Sequence, residues 1–194
     1  MDEITGGGWV SSYTGEPFSK KEMEEYGDNV LQKLAPLLNK KMKVLEIGCA
    51  SGITMFRVAP RVGLYYGTDL SAAIIEKNKR RVNEEKHQNI RLAVLAAHEL
   101  DQIQERDFDL VIINSVVQDF YSLNYLRGVI LKALDLMREN SLFFFGDIMD
   151  LDLRDELSRE MEAFKREHGE GGYKTKTDFS SDLFISRDFF RSLR

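Results

Sequence analysis

The chain has one cysteine, three prolines, no long apolar run and no excess of positive charge. A lone thiol, Cys49, cannot close an internal disulfide, which points to a reduced, intracellular setting. With 27 Lys and Arg against 32 Asp and Glu, the net charge is −5. The concentrated basic surface that a nucleic-acid backbone requires is therefore missing. The one dense basic run, residues 77–81, falls in a helical pattern and reads as a solvated helix face. No stretch approaches the roughly 18 apolar residues of a membrane span. The start Met1-Asp2-Glu3 is unlike the basic beginning of a signal peptide. A cytoplasmic protein is expected, with neither nucleic acid nor membrane as a partner. No His, Cys and carboxylate group has metal-ligand spacing, and His87 and His168 read as exposed.

What is present suffices for one packed domain: 194 residues, 43% of them hydrophobic. Short apolar runs alternate with longer amphipathic segments. Ser19 and Glu22 make a capping-box pattern before Met23, Tyr26, Val30, Leu34 and Leu37 at helical spacing. Strands are expected at 43–47, 64–68, 90–95, 108–114 and 142–147. Helices are expected at 51–60, 71–83, 122–137 and 153–166, with a short one at 97–103 and another at 186–193. Runs such as Val111-Ile112-Ile113 are apolar on both faces, as strands covered on both sides must be. The expected fold is α/β: a Rossmann-like parallel sheet of five strands sandwiched by helices. Residues 1–18 read as an N-terminal lid, 19–167 as the core, and 168–194 as a mobile loop with a short helix.

The segment from Val44 to Gly52 runs from a strand through small residues into a helix. In such folds ligands bind at the carboxyl ends of the strands. Gly48 permits a tight turn and Gly52 a close backbone approach. Asp69 ends the next strand, placed to accept both hydroxyls of a ribose. The dinucleotide pattern would demand a glycine at Ile53, so it fits poorly. Glu46, Gly48, Ala50 and Gly52 instead fit an acid followed by small residues at every second position. That spacing resembles the S-adenosylmethionine (SAM) loop of class I methyltransferases. A carboxylate such as Glu46 also suits a cationic cofactor.

The resemblance extends further. The stretch Gly8-Trp-Val-Ser-Ser-Tyr-Thr-Gly-Glu-Pro17 is similar to the leading segment of methyltransferase domains embedded in nonribosomal peptide synthetases. Tyr66-Gly-Thr-Asp-Leu-Ser71, Asn114-Ser-Val-Val-Gln118 and Phe145-Gly-Asp147 resemble further motifs of that family. It implies methyl transfer from SAM, usually to the amine of an aminoacyl thioester on a carrier protein. It also implies that Tyr13, Glu46, Gly48, Cys49, Ala50, Gly52, Asp69, Leu70, Ala97, His98, Asn114 and Ser115 meet the cofactor, and Gln118 the substrate. Polar residues at strand ends nominate Asn114 and Asp147 for catalysis, with Asp147 as proton acceptor, and the polar, turn-rich stretch 11–17 adds Tyr13 as part of a lid over the cofactor. Asp147 could equally cap the helix that follows, and Cys49 reads as a small buried residue.

Three departures stand out. Ala50 replaces the family's usual middle glycine. His98 stands where an aspartate generally holds the adenine amino group. Asp119-Phe-Tyr121 replaces an aromatic-Phe-Pro turn. Two other readings stay open: an O- or C-methyltransferase of small molecules, and a SAM-binding module without turnover. A C-terminal antiparallel hairpin is apparently absent, so the chain is expected to be cut short there. Strand 108–114 would then lie at or near an unprotected apolar edge, which carries a risk of self-association.

Overall fold

In a computed structural model that describes residues 9–193, six helices and five strands alternate. Residues 1–8 of the expected lid, including Gly8 and the Met1-Asp2-Glu3 start, lie outside the described residues, as does Arg194. Helix α1 (Lys20–Leu34) starts as the capping box requires: the Glu22 carboxylate accepts the Ser19 N–H at 2.7 Å, and the Ser19 hydroxyl accepts the Glu22 N–H at 3.3 Å. Its buried face is Met23, Gly27, Val30 and Leu34. Leu37 falls beyond the helix and is 45% exposed, so the expected apolar stripe ends one turn early.

Strands β1 (Lys43–Ile47), β2 (Leu64–Asp69), β3 (Ile90–Val94), β4 (Phe108–Asn114) and β5 (Met137–Gly146) form one parallel sheet in the order β3-β2-β1-β4-β5. The chain winds outward from β1 through β3, crosses back, and winds the other way through β4 and β5. The switch lies between β1 and β4, and a crevice opens above their carboxyl ends. Period-two alternation splits the core into two layers. Leu45, Ile47, Val111 and Ile113 pack with helix α4 (Leu123–Leu134) and helix α6 (Arg187–Arg191). Val44, Tyr65, Leu110 and Ile112 pack with α1, the short helix α2 (Met55–Val58) and helix α3 (Ala72–Glu84). Both faces are covered, which is why these strands carry apolar residues without alternation.

Strand β4 is not an edge, because β1 and β5 flank it. The edge on that side is β5, one strand further out, and its face is covered by Phe190 of α6, 5.0 Å from Phe145. The strand also begins at Met137 rather than Leu142. Phe108 pairs with Met137 and Leu110 with Leu142, so the polar residues between bulge out, with Asn140 at φ 58°. That polar insertion hides the strand start and lengthens the apparent helix before it. The expected helix 51–60 is likewise shortened to α2 and a 3₁₀ turn.

After β5 the chain forms a 3₁₀ turn and helix α5 (Arg154–Glu167). The expected mobile loop beyond it is tied to the N-terminal arm. The Lys174 and Lys176 N–H groups donate to the Thr14 and Ser12 carbonyls at 3.0 and 2.8 Å, and the Thr175 hydroxyl donates to the Tyr13 carbonyl at 2.7 Å. Phe179 and Phe184 bury with Met161 of α5 in a small separate cluster.

Candidate functional site

The loop after β1 is shaped by residues with positive φ: Gly48 at 78°, Ala50 at 40° and Gly52 at 81°. The Gly48 and Cys49 N–H groups both donate to the Thr68 carbonyl at 2.8 Å. A Cβ on Gly48 would lie 2.5 Å from Val116 Cγ2, so only glycine brings this loop so close to the turn after β4. Ala50 is clamped in its unusual conformation. Asp69 Oδ2 accepts its N–H at 3.0 Å, and Asn78 Nδ2 donates to its carbonyl at 2.7 Å. Ser115 (φ 57°) and Asp147 (φ 53°) sit in the same left-handed region just past β4 and β5. Strained residues thus gather at three strand ends around one crevice.

Replacing Ala50 by Gly should relieve about 1–2 kcal/mol of left-handed strain and lose about 0.5–1 kcal/mol to unfolded-chain entropy. A net gain of about 0.5–1 kcal/mol is expected in denaturant melts, with cofactor affinity kept within threefold.

The crevice holds a cavity of about 600 Å³. Gly48, Ala50, Asp69, Leu70, Ala97, His98, Asn114 and Ser115 all line it. Asp69 fixes its own rotamer with Oδ1 accepting the Ser71 N–H at 2.9 Å. Each carboxylate oxygen spends one acceptor site on backbone and keeps another free for a diol. His98 Nδ1 lies 3.0 Å from the Tyr125 hydroxyl, and Tyr121 stands 82% exposed on the same wall.

Other residues expected at the cofactor do not line this cavity. Glu46 is 3% exposed, its Oε2 accepting the Tyr65 hydroxyl at 2.9 Å, and it lines a small recess with Trp9, Gly48, Ala50 and Asn114. Strand alternation places it on the face of Val44 rather than that of Ile47. Burial pushes its carboxyl up to about 7, against the pull of hydrogen bonds from Tyr65 and Thr54. The same recess joins it to Cys49, whose buried thiol is raised well above its ordinary value by desolvation and the nearby acids. Such a thiol is inert. Gly52 turns the loop without reaching the cavity. Tyr13 packs edge-on against Phe164 of α5, 5.2 Å between ring centres, and lines neither large cavity.

A group with a raised folded pKa stabilises below its unfolded value of about 4.5 and loses that contribution as pH rises through about 7. Glu46→Gln should therefore remove up to about 3 kcal/mol of pH dependence between those limits. Denaturant melts across that range check it: the variant should gain on the wild type as pH rises, and a constant difference would contradict it.

A second cavity, about 480 Å³, adjoins the first and shares Trp9, Ser115 and Asp119 with it. Gln118 and Asp147 line it, as do the aromatic residues Phe18, Tyr26 and Phe179. Asn114 sits beneath the junction, its Nδ2 donating to the Tyr26 hydroxyl at 2.7 Å. A Cβ at Gly146 would displace the Asn114 side chain from this position. Burial and the charge of Asp147 push the Tyr26 phenol up. Trp9, which lines both cavities and stacks edge-on against Tyr26 at 4.8 Å, is the main residue that sequence reasoning missed. Its signal was there: the chain's single tryptophan in an otherwise polar arm. Among the described residues, no group of His, Cys, Asp and Glu could hold a metal, and no helix is long and apolar enough to cross a membrane.

The family model of a methyltransferase domain matches residues 38–180. A probable non-canonical nonribosomal peptide synthetase of Salinispora arenicola is 32% identical over 187 residues, 96% of this chain. Chondramide synthase of Chondromyces crocatus is 35% identical over 161 residues, 81% of this chain. The chain spans only 2% and 4% of those two proteins. Among solved structures, magnesium protoporphyrin IX methyltransferase from Synechocystis, with bound S-adenosylhomocysteine (SAH), superposes with a TM-score of 0.67 at 15% identity. It covers 98% of this chain and 78% of that one. The N-methyltransferase NodS from Bradyrhizobium japonicum gives 0.58 at 20% identity, covering 71% of this chain and 74% of that one.

Proposed function

The chain belongs to the methyltransferase-domain family, and on that premise we propose that it uses SAM to methylate the amine of an aminoacyl or peptidyl group held as a thioester on a carrier protein. The observation that carries this reading is the meeting of two cavities above the strand ends, one with a free diol acceptor, the other with free carboxylates. The kinship with peptide synthetases supports the choice of substrate class.

The residues fit the cofactor. A nucleoside-sized cavity, a glycine turn that a Cβ would fill and a preset carboxylate stand together. Asp69 would hold the ribose hydroxyls, the Gly48–Gly52 loop would pass under the methionine part, and Leu70, Ala97 and His98 would flank the adenine. Bound there, SAM supplies an electrophilic methyl group on a sulfonium. The chain's own contribution is positioning, since in-line displacement depends mostly on alignment. Asn114 and Ser115 are placed to orient the amine at the junction. Asp147 takes the proton that the amine must lose before it can attack. Residues 9–18, held by 174–176, close the acceptor cavity through Trp9 and Ser12.

Calorimetric titration with SAH and with NAD tests the cofactor assignment. SAH should bind and NAD should give no heat. Binding of NAD without SAH would refute the reading.

A further inference from the structure

The acceptor cavity carries more negative charge than its counter-ions cancel. Glu22, Asp119, Asp147 and Asp182 line it against Lys176 alone. Glu22 is occupied by the capping box, accepting the Ser19 hydroxyl at 2.6 Å. Lys176 is committed to Asp182 Oδ1 at 2.8 Å. The other Asp182 oxygen is buried with no hydrogen-bond partner among the described residues, as is Gln118 Oε1. That leaves Asp119 and Asp147 as carboxylates without an ion-pair partner among the described residues. Asp119 alone of the two faces both cavities. Desolvation and the charge of Asp182 push its carboxyl up, against a smaller pull from Lys176, and a further cation placed beside it would stabilise the charged form. The walls around it include the aromatic residues Trp9 and Tyr26.

From this charge imbalance at the shared wall, we propose that Asp119 is a specificity residue that selects an acceptor entering as an ammonium ion and rejects its hydroxyl counterpart. The proposal rests on the acceptor-cavity reading above and deepens it. A buried or half-buried ammonium gains from a facing carboxylate, whereas a neutral hydroxyl leaves the excess negative charge uncompensated. Asp119 is one of the departures of this chain from the aromatic-Phe-Pro turn it resembles, so the selectivity belongs to this protein's own turn. Asp147 remains the group that receives the proton once the ammonium is held.

The test reads binding and needs no turnover. Protein loaded with SAH is titrated with L-alanyl-pantetheine and with L-lactyl-pantetheine, which differ only in amine against hydroxyl. At about pH 6.5 an α-amine, with an ordinary pKa of about 7.7–8.0, is mostly protonated. Wild type should bind the amine ester at least about tenfold more tightly. D119N should cut that preference to within about threefold, and D119E, which keeps the charge, should retain it. Thermal melts of both variants should match the wild type, which separates loss of charge from loss of fold. No preference in the wild type, or a preference that survives D119N, would overturn the proposal. If SAH fails to bind, the cofactor reading falls by itself, and the same comparison on unloaded protein still decides the role of Asp119.

Discussion

Replacing Asp69 with Ala should weaken SAM binding at least about a hundredfold while leaving the domain folded. The carboxylate has two tasks. It holds the Ala50 N–H at 3.0 Å and the Ser71 N–H at 2.9 Å, fixing the loop and the start of α3. It lines the cavity, and its remaining acceptor sites are the ones proposed to hold the ribose. Each hydrogen bond to a charged group contributes about 1.5–3 kcal/mol. Loss of the ribose bonds alone would exceed a factor of ten, and loosening of Ala50 adds to it. Asp69→Asn keeps one acceptor oxygen and should fall between the two proteins. Calorimetric titration with SAH measures the loss, and a parallel thermal melt confirms folding. Unchanged affinity in the Ala variant would refute the assignment of the ribose site.

The second large effect is expected at Gly48. An L-residue at its φ of 78° costs about 1–2 kcal/mol, and the new methyl group would lie 2.5 Å from Val116 Cγ2. Overpacking of that kind costs about 1–3 kcal/mol. Together Gly48→Ala should destabilise by about 2–5 kcal/mol, a large part of a typical domain's 5–15 kcal/mol. It should also tear the loop from the Thr68 carbonyl and abolish SAH binding. Combining it with Val116→Ala should recover the steric share and leave the backbone share, so the two substitutions should not add. Denaturant melts of the single and double variants check this. A cost below about 1 kcal/mol for Gly48→Ala would contradict the tight fit of loop against turn.

The contrast between Gly48 and Ala50 bears on what could be read beforehand. Both lie in the left-handed region, yet only Gly48 has a neighbour where its Cβ would go. Spacing of small residues reveals the loop and its ligand class, but not which position is sterically closed. The sheet was legible because its strands are apolar on both faces and alternate with capped helices. The outer strand was legible only in its second half, since a polar bulge interrupts its pattern at 138–141. Glu46 was expected at the cofactor; alternation along β1 turns it toward Tyr65, and it lines a small recess with Gly48, Ala50 and Asn114 rather than the larger cavity. Tyr13 and Trp9 belong to an arm whose place depends on hydrogen bonds with residues 174–176, far away in the chain. No local pattern encodes such a contact, so which of the two aromatics faces the cavities emerges only in three dimensions. Asp119 was visible as a departure in a turn; its charge acquired meaning only beside Asp182 and the second cavity.

The most direct test of the central claim is product analysis after incubation of the protein with isotopically labelled SAM and an aminoacyl-pantetheine thioester. Fragmentation mass spectrometry should place one labelled methyl group on the amine nitrogen, with SAH formed in equal amount. Label on oxygen or carbon, or tight SAM binding with no label on any aminoacyl thioester, would contradict it.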